Sequence, residues 1–339
     1  MLVVDGSLGE GGGQILRTSV ALSMVTGTPF RIERIRAHRT KPGLKRQHLT
    51  AIEAAREVCG GRLDGARIGS QCLTFEPGEV RPGAYTFSVG TAGSTTLIFQ
   101  TLLPALAGAS GRSTVALEGG THNPLAPPFD FLEKAFLPVL ERQGLRVTAT
   151  LDRPGFYPAG GGRFTAEIEP VARLGPFELL ERGGVVRRRA RAVVSALPRH
   201  IAEREVHTFR KRLGWPDECF EIVEVEDPLG PGNVVTIEIA SAHVTEVFTA
   251  FGKLGRPAEA VAADAVRQCR RYLGSSAPVG EYLTDQLLLP LALAGAGSFR
   301  STGLSRHATT LIDLLPRFLD VEIRVEERGS EGTVVSVEA

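Results

Sequence analysis

A single histidine near the end of the chain, His307, has the chemistry that most needs an explanation. It lies in the segment Ser301–Thr310, directly after a strand-like stretch. A histidine in a loop of this kind can be structural, can shuttle protons, or can act as a covalent nucleophile. Attack on phosphorus would require a neutral ring and nearby cations that offset the phosphate charge. The sequence by itself leaves these three roles open.

A glycine-rich segment, Asp5–Arg17, combines an anion-binding pattern with one carboxylate, Glu10. Its glycines allow the backbone to approach a ligand, and the start of the following helix offers free N–H groups to an anion. The segment matches neither a Walker loop nor a dinucleotide fingerprint. A tight strand-to-helix turn would explain the glycines but not Glu10, which suits a divalent metal or proton transfer.

Two arginine-rich runs stand out from a net charge of only +1. The first run ends at Gln47 and has one acid, Glu33, against seven cations: Arg31, Arg34, Arg36, Arg39, Lys41, Lys45 and Arg46. Cations combined with amides and glycine suit phosphate oxygens. The second run, 182–191, has five arginines and is typical of a solvated face, although contact with RNA is an alternative.

Other polar residues interrupt apolar, helix-like stretches. Gln100 could be a buried hydrogen-bonding residue or a ligand contact. Tyr282, Asp285 and Gln286 open a third helix and suit a nucleoside, although acids in a first turn also complement the helix dipole. The proline-rich loop at 119–131 could flank a planar base or could be a stiff connection.

Composition restricts the class of protein. The chain has 339 residues, 42% of them hydrophobic, which favours two domains. The sequence contains neither a long apolar run nor a leader pattern, so we expect a cytoplasmic protein without a membrane span. The four cysteines have no CxxC spacing, so we expect reduced thiols and no zinc site.

A weak internal repeat organises the chain. Three apolar helix-like stretches end at Gly27, Gly108 and Gly295, and each is followed by a strand, a loop with a histidine, and a second helix. The predicted strands and loops are 30–39, 113–123 and 299–307, with His38, His122 and His307. This pattern predicts an α+β fold of three repeated βαβαββ-type units whose loops meet around an axis.

The repeat is interrupted between its second and third copies. Residues 180–274 alternate between predicted strands and helices, with amphipathic faces of their own. We therefore expect a catalytic domain formed by residues 1–180 and 275–339, and a small inserted α/β domain at 181–274.

Several long motifs in this chain resemble those of the RNA 3′-terminal phosphate cyclase family. They are GEGGGQILRTSVALS, IRAHRTKPGLKRQHL, GGTHNPLAPPFDF, GFYPAGGG, ALPRHIAERE, VGEYLTDQLLLPLALAGAG and SRHATT, spread from residue 5 to about 320. The resemblance implies units like the C-terminal domain of translation initiation factor three, as in enolpyruvylshikimate phosphate synthase. It also implies an ATP-dependent enzyme of the catalytic branch that converts an RNA 3′-phosphate into a 2′,3′-cyclic phosphate through histidine–AMP and RNA–pp–adenosine intermediates.

The resemblance also implies site residues. His307 would carry AMP on its tele nitrogen, and Glu10 would hold a divalent cation, Mg²⁺ or Mn²⁺. The phosphate-binding residues would be Arg17, Arg39 and Gln47. The ATP-binding residues would be Gln100, Pro127, Tyr282, Leu283, Thr284, Asp285 and Gln286, with Tyr282 and Pro127 on either side of the adenine and Asp285 at the ribose. His38 and His122 depart from the family pattern.

Three other functions compete with this interpretation. A non-catalytic relative used in ribosome assembly would share the fold but lack the terminal histidine. An enolpyruvyl transferase would share the fold class, and a general RNA-binding module would show a steep salt dependence. The expected partners of a cyclase are ATP and RNA with a 3′-phosphate, without a membrane or a stable protein partner.

Overall fold

The structure is a computed structural model that describes residues 1–339 and contains four small mixed sheets covered by helices. The mixed helix and strand architecture predicted from the sequence is thus confirmed. None of the helices has both the length and the apolarity that crossing a bilayer requires.

The first half of the chain forms two units. The first contains β1 (Leu2–Asp5), α1 (Gln14–Thr26), β2 (Phe30–Glu33), α2 (Arg46–Cys59), β3 (Arg62–Asp64) and β4 (Leu73–Glu76). The second contains β5 (Ala84–Ser88), α3 (Thr95–Ala107), β6 (Ser113–Gly119), α4 (Phe129–Phe131), a π-helical turn (Leu132–Phe136), α5 (Leu137–Arg142), β7 (Arg146–Arg153) and β8 (Gly162–Glu169).

The second half contains the remaining elements. After β9 (Phe177–Leu179), an intervening segment has β10 (Val185–Ser195), α6 (His200–Leu213), β11 (Phe220–Glu224), β12 (Gly232–Ser241), β13 (Thr245–Phe251) and α7 (Ala258–Leu273). The chain then continues with α8 (Glu281–Ala294), β14 (Ala296–Ser301), α9 (Arg306–Leu314), β15 (Glu322–Glu327) and β16 (Thr333–Glu338).

Three of the four sheets have the same strand order. They are β1-β2-β4-β3, β5-β6-β8-β7 and β9-β14-β16-β15. In each sheet the first two strands pair in parallel, and the other pairings are antiparallel. The parallel pair requires a crossover helix, and α1, α3 and α8 occupy that position. The third of these sheets is built from both sides of the intervening segment, because β9 precedes that segment and β14 follows it.

The intervening segment has a sheet and a core of its own. Its sheet has the order β11-β10-β12-β13, and α6 and α7 supply the apolar faces that pack on it. Seventeen buried apolar residues form this cluster, separate from the 58 of the main cluster. Val244 and Val247 of this segment belong to the main cluster, so the two cores are in contact.

The strand predicted within 30–39 is short for a backbone reason. It ends at Glu33, because Arg34 and Arg36 adopt left-handed φ values of 55° and 56° that a strand cannot contain. The strand β13 has no counterpart in the sequence analysis. The glycine ends are correct: Gly27 and Gly295 follow α1 and α8 with φ values of 71° and 72°.

The second arginine run is only partly the solvated face that the sequence favoured, since Arg187 and Arg188 are exposed whereas Arg191 is half-buried. It lies mostly on β10, and its members bind groups within the protein. Arg187, Arg189 and Arg191 pair with Glu238, Glu221 and Asp130, Arg188 lies over the ring of Trp215, and Arg182 donates to the carbonyls of Tyr272, Leu273 and Ser275.

We expect Leu102→Ala in α3 to destabilise the protein by about 2–5 kcal/mol, because it removes a fully buried side chain from the main cluster. Leu254→Ala is the matched control, since Leu254 is fully exposed, and it should change stability by no more than about 0.5 kcal/mol. Denaturant unfolding followed by circular dichroism measures both effects. Equal midpoints for the two variants would contradict the packing described here.

Candidate active site

His307 lies in the first turn of α9, not in a loop before a helix as the sequence suggested. The helix is capped by Ser305, whose Oγ accepts hydrogen bonds from the backbone N–H groups of His307 (2.9 Å) and Ala308 (3.0 Å). A ring at a helix N-terminus is close to the positive end of the helix dipole, which disfavours protonation. The side chain is 43% exposed, so a substrate can reach it.

A hydrogen bond to Gln14 sets the tautomer of this ring. His307 Nδ1 lies 2.7 Å from Gln14 Oε1, and a carbonyl oxygen can only accept, so Nδ1 carries the proton. The lone pair of the neutral ring is then on Nε2, which is the tele nitrogen. Gln14 is the first residue of α1 and was given no role in the sequence analysis, although an amide directly after a glycine run was a usable signal.

Burial and nearby cations keep the imidazole neutral. Desolvation lowers the pKa of His307 below its ordinary value of 6.5, and the charges of Arg17 and Arg39 lower it further. Arg17 makes no hydrogen bond or ion pair with another side chain, and burial lowers its own pKa to about 10. A half-buried cation without a counterion favours an anionic ligand.

Glu10 lies beside the histidine ring. Its carboxylate pairs with Arg39, its Oε2 lies 3.9 Å from His307 Nδ1, and its backbone N–H donates to Thr310 Oγ1 at 3.1 Å. Gly12 permits this placement, because a Cβ at that position would lie 1.9 Å from the carboxylate. The predicted neighbours Glu10, Arg39 and His307 are therefore together, although about 300 residues separate the two ends.

A cavity of about 80 Å³ lies between α1, α3 and α8. Its walls are mostly apolar, and its polar lining residues are Gln14, Arg17, Thr18, Gln100, Thr101, Asp285 and Gln286. Four predicted site residues from three different units thus face one space. The Nε2 of Gln100 is buried there without a hydrogen-bond partner, an arrangement that a polar ligand would satisfy.

Asp285 connects the cavity to α9, the helix that carries His307. It is buried on α8, and its Oδ1 accepts a hydrogen bond from Ser305 Oγ at 2.5 Å. Burial raises the pKa of Asp285 to about 7, and the bond from Ser305 opposes that rise. Asp285 therefore holds the residue that caps α9 and thereby helps to position His307.

Two residues of the predicted nucleotide segment do not face this space. Leu283 is fully buried in the main cluster. Thr284 is fully buried as well, and its hydroxyl is bound to Gly280 O and Ser301 Oγ. Their side chains support α8 instead of lining the cavity, so a contact with a ligand would have to come from their backbone atoms. Tyr282, one residue earlier, is 54% exposed.

Two segments contact the start of α3. One is the loop with Pro127, and the other is the first turn of α2, which follows the basic loop at residues 34–45. Pro127 O accepts a hydrogen bond from Thr96 Oγ1 at 2.6 Å. Gln47 Oε1 accepts one from the backbone N–H of Ser94, the residue that caps α3. Buried Arg36 closes the basic loop by donating to the carbonyls of Lys41 and Gly43, and this scaffold role was not anticipated from the sequence.

The other histidines near the site have different environments. Burial lowers the pKa of both His48 and His122 to about 3, with smaller effects from Arg17 on His48 and from Arg191 on His122. His122 stacks on Phe156 and bonds to Asp130 at 2.9 Å. Neither ring has the exposure of His307.

A neutral imidazole with Nε2 free, beside an unpaired arginine and at the mouth of a cavity, is typical of proteins that act on phosphoryl groups. Residues 8–325 match the sequence profile of the family RNA 3′-terminal phosphate cyclase. The chain belongs to this family.

Relatives named RNA 3′-terminal phosphate cyclase are similar over almost their whole length. The protein of Koribacter versatilis (strain Ellin345) is 54% identical over 327 residues, covering 96% of this chain and 92% of the relative. That of Ectopseudomonas mendocina (strain ymp) is 51% identical, with 94% and 93% covered. That of Ralstonia nicotianae (strain ATCC BAA-1114 / GMI1000) is 51% identical, with 98% and 95% covered.

We expect His307 to titrate below 6.5, and Arg39→Gln to raise its pKa, because the change removes a cation and frees the carboxylate of Glu10. The neutral ring is lost as the pH falls through the pKa, so the variant should lose it at a higher pH than the unchanged protein. Histidine ring signals in an NMR titration measure this. His48 and His122 serve as internal controls, since a pKa of about 3 keeps them neutral over that range. A pKa for His307 at or above 6.5 in the unchanged protein would contradict the geometry.

Proposed function

We propose that this protein is an ATP-dependent RNA 3′-phosphate cyclase in which His307 is the catalytic nucleophile. The observation that carries the proposal is the hydrogen bond between His307 Nδ1 and Gln14 Oε1, because it leaves Nε2 as the free, nucleophilic nitrogen. Family membership and the names of the relatives support the substrate, an RNA with a 3′-terminal phosphate.

The first step joins the histidine to AMP. His307 Nε2 attacks the α-phosphorus of ATP, a phosphorus–nitrogen bond forms, and the bond to pyrophosphate breaks. Arg17 and Arg39 offset the charge that accumulates on the phosphate oxygens. Nδ1 keeps its proton, which stays hydrogen-bonded to Gln14 Oε1, so the adduct ring carries a positive charge that makes it a better leaving group.

The next two steps use the RNA end. An oxygen of the terminal phosphate attacks the phosphorus of histidine–AMP, and His307 leaves with its original lone pair. The ribose 2′-oxygen then attacks the activated phosphate, which forms the 2′,3′-cyclic phosphate and releases AMP. Arg39, Gln47 and the exposed cations Lys41, Lys45 and Arg46 supply the charges and amide groups that suit the incoming RNA phosphates.

The nucleotide would occupy the cavity between α1, α3 and α8. Gln100 and Gln286 line it, and the unpartnered amide of Gln100 has a donor to offer. We assign Tyr282 and Pro127 to the two faces of the adenine and Asp285 to the ribose hydroxyls. Leu283 and Thr284 would contribute through the backbone, since their side chains are buried.

A divalent cation fits the site only together with substrate phosphates. No group of three or more His, Cys, Asp or Glu side chains is arranged to hold a metal. Glu10 offers one carboxylate beside the nucleophile, and Mg²⁺ commonly binds through one or two carboxylates plus phosphate oxygens. Mg²⁺ or Mn²⁺ held by Glu10 would offset phosphate charge.

We further propose that the three units of equal strand order are repeats like the C-terminal domain of translation initiation factor three, as in enolpyruvylshikimate phosphate synthase. Residues 1–180 and 275–339 would form the catalytic domain and 181–274 an inserted domain, in agreement with the separate apolar clusters. We also propose that the protein acts in the cytoplasm and has no stable protein partner.

We expect the protein to form an acid-labile, alkali-stable AMP adduct with α-labelled ATP and Mg²⁺, and His307→Ala to reduce its rate more than about a thousandfold. His38→Ala is the matched control, because His38 is an exposed histidine in the basic loop, and it should stay within about threefold. RNA with a 3′-phosphate should discharge the adduct, and RNA with a 3′-hydroxyl should not. An unchanged protein without an adduct would favour the non-catalytic relative.

We expect Gln14→Leu to slow adenylylation about a hundredfold, because the ring loses the acceptor that selects its tautomer. Gln14→Glu keeps an acceptor and should retain more of the rate. Because a carboxylate raises the pKa of His307, the rate of this variant should begin to fall at a higher pH than that of the unchanged protein. Single-turnover rates across a pH series measure both variants. A Gln14→Leu variant as fast as the unchanged protein would remove Gln14 from the mechanism.

A further inference from the structure

The inserted segment 181–274 contacts both walls of the nucleotide site proposed above. One wall is the start of α8, which carries Tyr282, Asp285 and Gln286. The other is the loop at 121–128, which carries Pro127. The residues that make these two contacts do not bind the phosphates, so the proposed reaction does not explain why the contacts are present.

At the first wall, Glu246 of β13 caps α8 from outside the helix. The helix begins after Gly280, which has no side chain with which to cap it. The buried carboxyl group of Glu246 accepts a hydrogen bond from the backbone N–H of Gly280 through Oε1. A helix N-terminus leaves several N–H groups without partners, so this bond fixes where α8 begins. Tyr282 is two residues further along.

At the second wall, Arg191 of β10 holds Asp130. Asp130 is buried, pairs with Arg191 through Oδ1, and bonds to His122 Nε2 through Oδ2 at 2.9 Å. His122 lies near the start of the loop that leads to Pro127. The guanidinium of Arg191 therefore acts on that loop through two successive contacts.

A second ion pair runs beside this one. Lys134, on the π-helical turn, lies 3.5 Å from Glu238 of β12 and 3.7 Å from Asp130. Glu238 is buried and also pairs with Arg187. Buried charges of this kind are costly to leave unpaired, so these pairs hold the inserted segment in one position relative to the second unit.

From these contacts we infer that the inserted segment is a brace that sets the two walls of the nucleotide site, with Glu246 and Arg191 as positioning residues. The inference rests on the proposed placement of ATP between these walls. Both residues act through others: Glu246 through the first turn of α8, and Arg191 through Asp130 and His122. Loss of either should weaken nucleotide binding without removing a group that touches the nucleotide.

The test measures binding directly. Calorimetry with α,β-methylene ATP, an analogue that cannot be cleaved at the α-phosphorus, gives a Kd that is independent of the chemical step. We expect Glu246→Ala and Arg191→Met each to raise this Kd about fivefold or more. Because burial raises the pKa of Glu246 to about 8, its carboxyl group is mostly uncharged at neutral pH, and Glu246→Gln should restore the Kd to within about twofold.

The matched control is Arg204→Ala, which removes an exposed pair with Glu259 inside the same segment and should leave the Kd unchanged. Circular dichroism at the assay temperature gives the folded fraction used to correct each Kd. An unchanged Kd in both Glu246→Ala and Arg191→Met, with or without lower stability, overturns the brace. Normal analogue binding by an unchanged protein that forms no AMP adduct would overturn the proposed reaction, whereas the brace would still be decided by the Kd values of the two variants.

Discussion

The hydrogen bond between His307 and Gln14 is the contact on which the site depends. It joins residues 293 positions apart, at the starts of α9 and α1, and it gives the ring the tautomer with a free Nε2. The bond can form only when the first and third units are packed together. Ser305 and Asp285 reinforce it, since one caps α9 and the other binds that cap. The free lone pair on His307 Nε2 therefore depends on the packing of the first unit against the third.

The electrostatics of the site depend on an arginine that has no acidic or carbonyl partner. Most arginines in this protein are satisfied by acids or carbonyls, whereas Arg17 has no such partner and lies at the cavity. Burial and, to a smaller extent, the charge of Arg17 lower the pKa of His307, and the same charge suits a polyphosphate. One arrangement thus favours both the neutral ring and the anionic ligand of the proposed reaction.

The inserted segment, residues 181–274, makes contacts with the rest of the chain that its sequence did not indicate. Its arginine run, which the sequence predicted to be a solvated surface, supplies Arg191 to the buried Asp130 in the rest of the chain, and Glu238 of the segment pairs with Lys134 across the same boundary. Glu246 of the same segment accepts a hydrogen bond from the backbone N–H of Gly280 at the start of α8. Separating charges that are paired across this boundary costs on the order of several kcal/mol, so these pairs hold the segment against the rest of the chain.

Local patterns were sufficient for much of this protein. Glycine stops and apolar periodicity predicted the helices and the repeat, because each depends on neighbours in the chain. The long motifs, through the family resemblance, singled out Glu10, Arg17, Arg39 and His307 as candidate site residues. Other features depended on contacts between distant residues. The role of Gln14, the buried side chains of Leu283 and Thr284, the left-handed turn after Glu33 and the partners of the arginine run were decided by packing. Sequence states which groups are present, but burial and the approach of distant helices determine which of them are neutral, unpaired and facing one cavity.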